Sequence, residues 1–260
     1  ARLLFGRDGK LYVGIGAPGF NDSAGSAADA QNPASHMGKI LRLNEDGTTP
    51  TDNPFIGRRG YAPEIFALGI RNAIGLTVHP ETGEIWETEN GPQGGDEINI
   101  ARKGKDYGWP SATYGVEYGP ANTKIGEGVT QKAGIEQPVY YWDPVIAPGA
   151  LTYYNADLFP KWKSSVFAAG LNSNYVARLT MDGDKVKGEE RLQFSDKRER
   201  YRDIGVGPDG ALYVSQLTGF PFWQGTSSVF RLASDGSSTE VYSSGFTAVV
   251  NADSGLCLDI

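Results

Sequence analysis

The run WETENGPQGGDEIN, residues 86–99, concentrates the groups in this chain best suited to holding a ligand or an ion. Gly91, Gly94 and Gly95 lack a Cβ, so the backbone there can come close to a bound group. Pro92 fixes its own φ and leaves a carbonyl as an acceptor. Asn90, Asp96 and Glu97 add oxygen atoms of the kind a hard cation such as Ca²⁺ takes as ligands. A polar loop that merely caps a strand has a similar composition. The choice between the two rests on what the rest of the chain builds around this run.

The surrounding chain reads as repeated β-hairpins. Apolar runs at residues 3–5 and 11–16 flank an Asp-Gly turn, a strong hairpin signal. The pattern returns at residues 75–86, more loosely at 149–169, and again at 203–214. A further strand-like run follows the first, third and fourth hairpins, at 39–43, 175–179 and 228–232, each leading into an Asp-Gly turn. A repeating unit of a few strands is the mark of a β-propeller blade. A sandwich built of similar hairpins gives no reason for four look-alikes. No amphipathic helix longer than two turns is expected. The long inserts at 17–37, 50–63 and 114–138 would rim one face and build a site there.

Composition narrows the class. With 260 residues, Gly 35, Pro 15 and 39% hydrophobic residues, the chain suits one large, turn-rich all-β domain. Its net charge of −7 argues against a nucleic-acid partner bound through phosphates. Cys257 is the single cysteine, so no internal disulfide forms. No apolar run is long enough to span a membrane, and no signal peptide is visible. The opening residues 1–5 already follow a strand pattern, which reads as a start in mid-domain. Residues 1–235 are expected to form the propeller domain. Residues 236–260 read as a linker followed by a run, 249–260, that resembles the opening strand of a ricin-type lectin repeat. The aromatic run 219–223 is either a rim contact or packing.

Several motifs in order carry a family resemblance. EIFALGIRNAIGL (64–76), ENGPQGGDEIN (89–99), KDYGWP (105–110), HMGKILRLN (36–44), DNPF (52–55), Ala147-Pro148 and RYRD (200–203) together resemble the glucose/sorbosone dehydrogenase family over about residues 1–233. The resemblance implies a six-bladed β-propeller, of which about four blades' worth of repeats are visible. The family's first two blades are then expected before Ala1. It also implies a quinoprotein that oxidises aldose sugars at C1 with pyrroloquinoline quinone and Ca²⁺. An external electron acceptor and an exported, periplasmic or secreted, location follow from the same resemblance.

The resemblance assigns roles residue by residue. The Gly91 and Pro92 carbonyls would bind the Ca²⁺. Arg71 and Asn72 would contact the quinone, with Arg71 stabilising charge on its reduced form. Asn90 and Asp96 would lie at the cofactor and sugar pocket. Arg200 and Arg202 would clamp cofactor carboxylates, a task that suits guanidinium forks.

Departures from the family pattern point the other way. The family's general-base histidine lies just ahead of the first strand and has no counterpart in these residues. His36 and His79, the chain's two histidines, sit before a buried strand and on a hairpin turn. Ala17 stands where the family has an acid, Ile70 where it has His, Asn172 where it has Lys, and the stretch near Val145 lacks its Ser or Thr. Two functions therefore remain open at this point: a quinone-dependent sugar dehydrogenase, and a non-catalytic propeller that binds carbohydrate.

Overall fold

The computed structural model describes residues 2–17, 24–194, 199–218, 226–233, 238–245, 249–250 and 257–258. Its architecture is all-β, made of four four-stranded antiparallel sheets arranged as propeller blades. The first sheet holds β1 (Arg2–Phe5), β2 (Leu11–Ile15), β3 (Lys39–Leu43) and β4 (Ile65–Leu68) in that order. The second holds β5 (Ala73–Val78), β6 (Ile85–Glu89), β7 (Asp96–Ala101) and β8 (Tyr140–Trp142). The third holds β9 (Pro148–Tyr154), β10 (Ser165–Gly170), β11 (Val176–Asp182) and β12 (Lys185–Leu192). The fourth holds β13 (Glu199–Val206), β14 (Leu212–Thr218), β15 (Thr226–Leu232) and β16 (Ser238–Gly245). A short pair, β17 (Val249–Val250) with β18 (Cys257–Leu258), follows.

Burial falls off from the middle of each blade outward. Every residue of β6, β7 and β10 is buried, because both faces of these strands pack against neighbouring sheets. The outer strand β12 has no buried residue and reads KVKGEERL. The core lies between sheets. Tyr12, Ile40, Ala73 and Leu76 fill the space between the first and second. Trp86, Ile98, Leu151 and Val166 fill the next, and Tyr154, Phe167, Ile204 and Val214 the one after that. Arg2 of β1 donates twice to Asp203 of β13, at 2.8 and 3.0 Å, and so links the first and fourth sheets. A pair that exposed contributes at most about 1 kcal/mol, and a groove of about 280 Å³ opens beside it.

One device recurs at the start of the innermost strands. The pairing register shifts by one residue at Ile74 in β5, at Gly149 in β9 and at Arg202 in β13. Such bulges re-aim the side chains that precede or occupy them. Two of them touch: a Cβ on Gly149 would lie 2.5 Å from the Arg202 carbonyl oxygen. These starts share one end of the blades, where Ala17 bonds to the Arg71 carbonyl and Gly69 to the Ala30 carbonyl. The helix α1 (Ala24–Asp29) of the 17–37 insert is short. Lys39, fully buried, donates to the Asp29, Ala30 and Met37 carbonyls and ties the insert down. Burial pulls its ammonium down to about 8.

The stretch read as a linker from residue 236 includes β16, which pairs along β15 as the fourth blade's outer strand. Of the lectin-like run, only β17 and β18 are among the described residues, and the aromatic run 219–223 lies outside them. Gly149→Ala is expected to cost about 1–3 kcal/mol, since its contact is backbone that cannot swing aside. Thermal melting checks this: a loss of several degrees is expected, while Gly47→Ala, whose surroundings are open, changes only through its positive φ.

Candidate functional site

The site is built on the turn that enters β5. Gly69 has φ +75°, and a Cβ there would meet the Asp106 carboxylate at 2.1 Å, so only glycine fits. Ile70 is fully buried and anchors the turn in the core. Arg71 follows at 3% exposure, with its guanidinium stacked 5.1 Å from the Trp109 ring centre. Arg71 Nη1 donates to the Asn90 carbonyl at 2.6 Å and to the Gly91 carbonyl at 2.7 Å. Nη2 reaches the Tyr118 hydroxyl at 3.4 Å. The Glu89 carboxylate accepts the backbone N–H groups of both Arg71 and Asn72. Asn72 donates from its side chain to Asn90 Oδ1 at 3.2 Å, and Asn90 passes the chain of contacts on to the Pro148 carbonyl at 3.1 Å. Arg71, Asn72, Asn90 and Gly91 thus form one continuous corner between the second and third sheets.

Asp96 fixes the loop that carries Gly91. Its carboxylate is fully buried, with Oδ1 accepting the Gly91 N–H and Oδ2 accepting those of Ile146 and Ala147, all at 2.7 Å. Burial pushes its carboxyl up to about 6, against the pull of these three N–H groups. The loop is also held from outside. Gln93 pairs with Val116 through backbone bonds of 3.2 and 2.9 Å, which seats the 114–138 insert over it.

Below the corner lies a buried acidic cluster. Glu87 and Glu89 on β6 stand across from Asn99 and Glu97 on β7. The Asn99 side-chain amide donates to Glu87 Oε1 at 2.8 Å and reaches Glu97 and Glu89 at 3.3 and 3.4 Å. Glu87 Oε2 and Asn99 Oδ1 are buried without a hydrogen-bond partner. Burial first, then the charge of Glu89, raises Glu87 and Glu97 well above the usual carboxylate range. Burial raises Glu89 to about 7, opposed by the Arg71 and Asn72 N–H groups. A cavity of about 10 Å³, room for one water-sized species, sits between Arg71, Glu89, Glu97, Tyr107 and Trp109. Among the described residues no three His, Cys, Asp or Glu side chains converge as a metal-ligand set. The oxygens that meet a positive group at this corner are the Asn90 and Gly91 carbonyls.

The structure brings Arg71, Asn72, Asn90, Gly91 and Asp96 together. Arg202 is exposed on its bulge, one backbone contact away from Gly149 and so next to Pro148, and Arg200 is half-buried two residues earlier. His36 is exposed and pairs with Glu64 at 3.2 Å. His79 is buried on the β5–β6 turn, where its Nδ1 accepts the Glu81 and Thr82 N–H groups at 3.2 Å. Ala17 is fully buried; its N–H reaches the Arg71 carbonyl and its own carbonyl accepts from Trp109 Nε1. The Asn172 N–H meets the Ile146 carbonyl at 3.0 Å. Glu87, Glu89, Asn99, Trp109 and Tyr118 are site neighbours that residue-type reasoning passed over. The alternating acids in WETEN were the available signal, since alternation along a strand puts Glu87 and Glu89 on one face.

The family model for "Glucose / Sorbosone dehydrogenase" matches residues 1–218. The chain belongs to the glucose/sorbosone dehydrogenase family. It is 41% identical over 214 residues to the aldose sugar dehydrogenase YliI of Escherichia coli K12, covering 82% of this chain and 55% of that protein. It is 27% identical over 277 residues to the quinoprotein glucose dehydrogenase B of Acinetobacter calcoaceticus, covering 82% and 57%. The apo crystal structure of the E. coli aldose sugar dehydrogenase superposes with a TM-score of 0.75 at 40% identity, over 83% of this chain and 60% of that one. The PQQ-bound aldose sugar dehydrogenase of Streptomyces coelicolor superposes at 0.62 with 26% identity, over 82% and 54%. The chain spans about half the length of the curated relatives it matches.

Two outcomes follow from the buried acids. Each binds its proton more tightly folded than unfolded. Between the ordinary glutamate value of 4.5 and the value of about 7 for Glu89, the native state holds more protons, so stability falls as pH rises. Glu87→Gln keeps the shape and removes the cost of keeping a carboxyl protonated in the core. In metal-free buffer it is expected to raise the melting temperature by several degrees at pH 8 and to change it little at pH 5. Asp96→Ala strands three backbone N–H groups and is expected to cost about 2–4 kcal/mol, measured by denaturant unfolding.

Proposed function

We propose that this chain forms the cofactor-holding part of a quinone-dependent aldose dehydrogenase, which oxidises aldose sugars at C1 with pyrroloquinoline quinone and Ca²⁺. The observation that carries the reading is the Arg71, Asn72, Asn90 and Gly91 corner, where two backbone carbonyls converge on a cationic group. A donor set that already holds one cation suits another, and neutral carbonyl oxygens are hard ligands of the kind Ca²⁺ takes. Its relatives, an aldose sugar dehydrogenase and a quinoprotein glucose dehydrogenase, support the same class. When bound, the quinone supplies the hydride acceptor and Ca²⁺ the Lewis acid that polarises it.

Within that reading the chain's residues divide the work. The Gly91 and Pro92 carbonyls hold the ion. Asp96 sets the height of Gly91 by gripping its N–H. Asn72 and Asn90 orient polar groups at the corner. Arg71 brings a buried positive charge that favours negative charge developing beside it. Arg200 and Arg202 clamp carboxylates from the fourth sheet. Neither histidine of the chain contributes a base to this corner, given the contacts of His36 and His79. An aldose is the substrate, an external acceptor takes the electrons, and the protein is exported. Among the described residues no helix is long and apolar enough to cross a membrane.

A second reading, a non-catalytic carbohydrate-binding propeller, draws on Ala17 and Ile70. Both are fully buried core residues where the family pattern has polar groups. Adding pyrroloquinoline quinone and Ca²⁺ to the full-length protein and assaying dye reduction with several aldoses separates the two. The dehydrogenase reading expects a cofactor spectrum and sugar-dependent reduction; sugar binding with neither would select the alternative. Arg202→Ala is expected to weaken quinone binding about tenfold or more, in line with loss of a charge-assisted pair. Unchanged binding by absorbance titration would remove Arg202 from the site.

A further inference from the structure

We propose that the Arg71 guanidinium, held by the Asn90 and Gly91 carbonyls, is the resident cation of this corner and competes with a divalent cation for the Gly91 carbonyl. This inference rests on the metal-binding reading above and concerns how the site is loaded. Both carbonyl oxygens converge on one nitrogen, Nη1, at 2.6 and 2.7 Å. That is the arrangement of two ligands around an ion. A Ca²⁺ ion takes its oxygen ligands at about 2.3–2.6 Å, so an ion on the Gly91 oxygen would press against the nitrogen already there. Two positive centres sharing one buried oxygen repel.

The surroundings explain why a cation is resident. Glu89 accepts the Arg71 backbone N–H and Asp96 grips Gly91, and both buried acids feel the Arg71 charge. Emptying the corner of positive charge would leave those acids uncompensated. Exchange of one cation for another keeps them neutralised. The guanidinium has a route outward. Nη2 already reaches the hydroxyl of Tyr118, which is 57% exposed, at 3.4 Å. Its stem can stay packed on Trp109 while the fork swings to the rim. Metal binding would thus deliver Arg71 towards the open side of the corner, where an anionic ligand would meet it.

The test is Ca²⁺ titration of the full-length, metal-stripped protein without quinone. Isothermal calorimetry gives the affinity, and Tb³⁺ luminescence excited through the aromatic residues gives an independent reading at the site. Arg71→Met keeps the apolar stem and removes the fork. It is expected to bind Ca²⁺ at least about tenfold more tightly than the wild type. Arg71→Lys keeps a charge but not the fork, and is expected to fall between the two; it carries the test if Arg71→Met does not fold, as judged by thermal melting. If Arg71 is only a brace for the loop, its removal loosens Gly91, and a folded variant with unchanged or weaker Ca²⁺ binding overturns the proposal. If neither the wild type nor the variants bind Ca²⁺, the metal reading itself fails. Wild-type binding with unaffected variants sinks this inference alone.

Discussion

Burying one guanidinium among carboxylates is the constraint on which this end of the protein depends. Arg71 is 3% exposed, and Glu87, Glu89, Asp96 and Glu97 are all buried around or beneath it. The acids outnumber the arginine, so the fold cannot ionise them all without uncompensated charge in a low-dielectric interior. It answers with backbone N–H groups, three on Asp96 and two on Glu89, and with protons held on Glu87 and Glu97. Glu89 and Asp96 tie down different loops, and Glu87 and Glu97 share the Asn99 amide. The polar cluster therefore defines the geometry of the corner more than it stabilises the blades. The apolar layers between sheets supply stability, and the acids spend part of it on positioning.

Much of this architecture could be read from residue order. The hairpins were legible because turn residues, Asp-Gly in the first and fourth, separate runs of buried apolar residues, and because β6 and β10 are buried on both faces. The outermost strands were not. β8 has three residues, β12 exposes its charged face, and β16 begins where the sequence becomes rich in serine. Edge strands carry little hydrophobic signal because water takes one side of them. The consequence was a linker placed where β16 pairs with β15.

The site was legible in its loop and opaque in its depth. Glycines and a proline announced the Gly91 turn, and order of motifs announced Arg71. Nothing in residue type said that Asp96 would turn inward to grip three N–H groups, since an exposed aspartate in a polar loop looks the same. The acids at 87 and 89 were visible as alternation, but their meeting with Glu97 and Asn99 depends on β6 to β7 register, which a single sequence does not display. Ala17 and Ile70 show the reverse. Their apolar character is explained by full burial against Trp109 and the first interblade core, so they are packing residues whatever their counterparts do elsewhere.

The bulges at Ile74, Gly149 and Arg202 carry a further consequence. An extra residue shifts the phase of alternation by one, so residues upstream of it answer to a different rule from those downstream. Below each bulge the strand must alternate to satisfy the packed layers. Above it the alternation restarts one residue out of step, and Ala73 and Tyr201 still pack in the interblade cores. At the site end Arg71 and Asn72 thus meet the Asn90–Gly91 corner while Ile70 and Ala73, on either side of them, fill the core. In three of the four inner strands a single inserted residue thereby lets the site end and the packed layers keep separate phases.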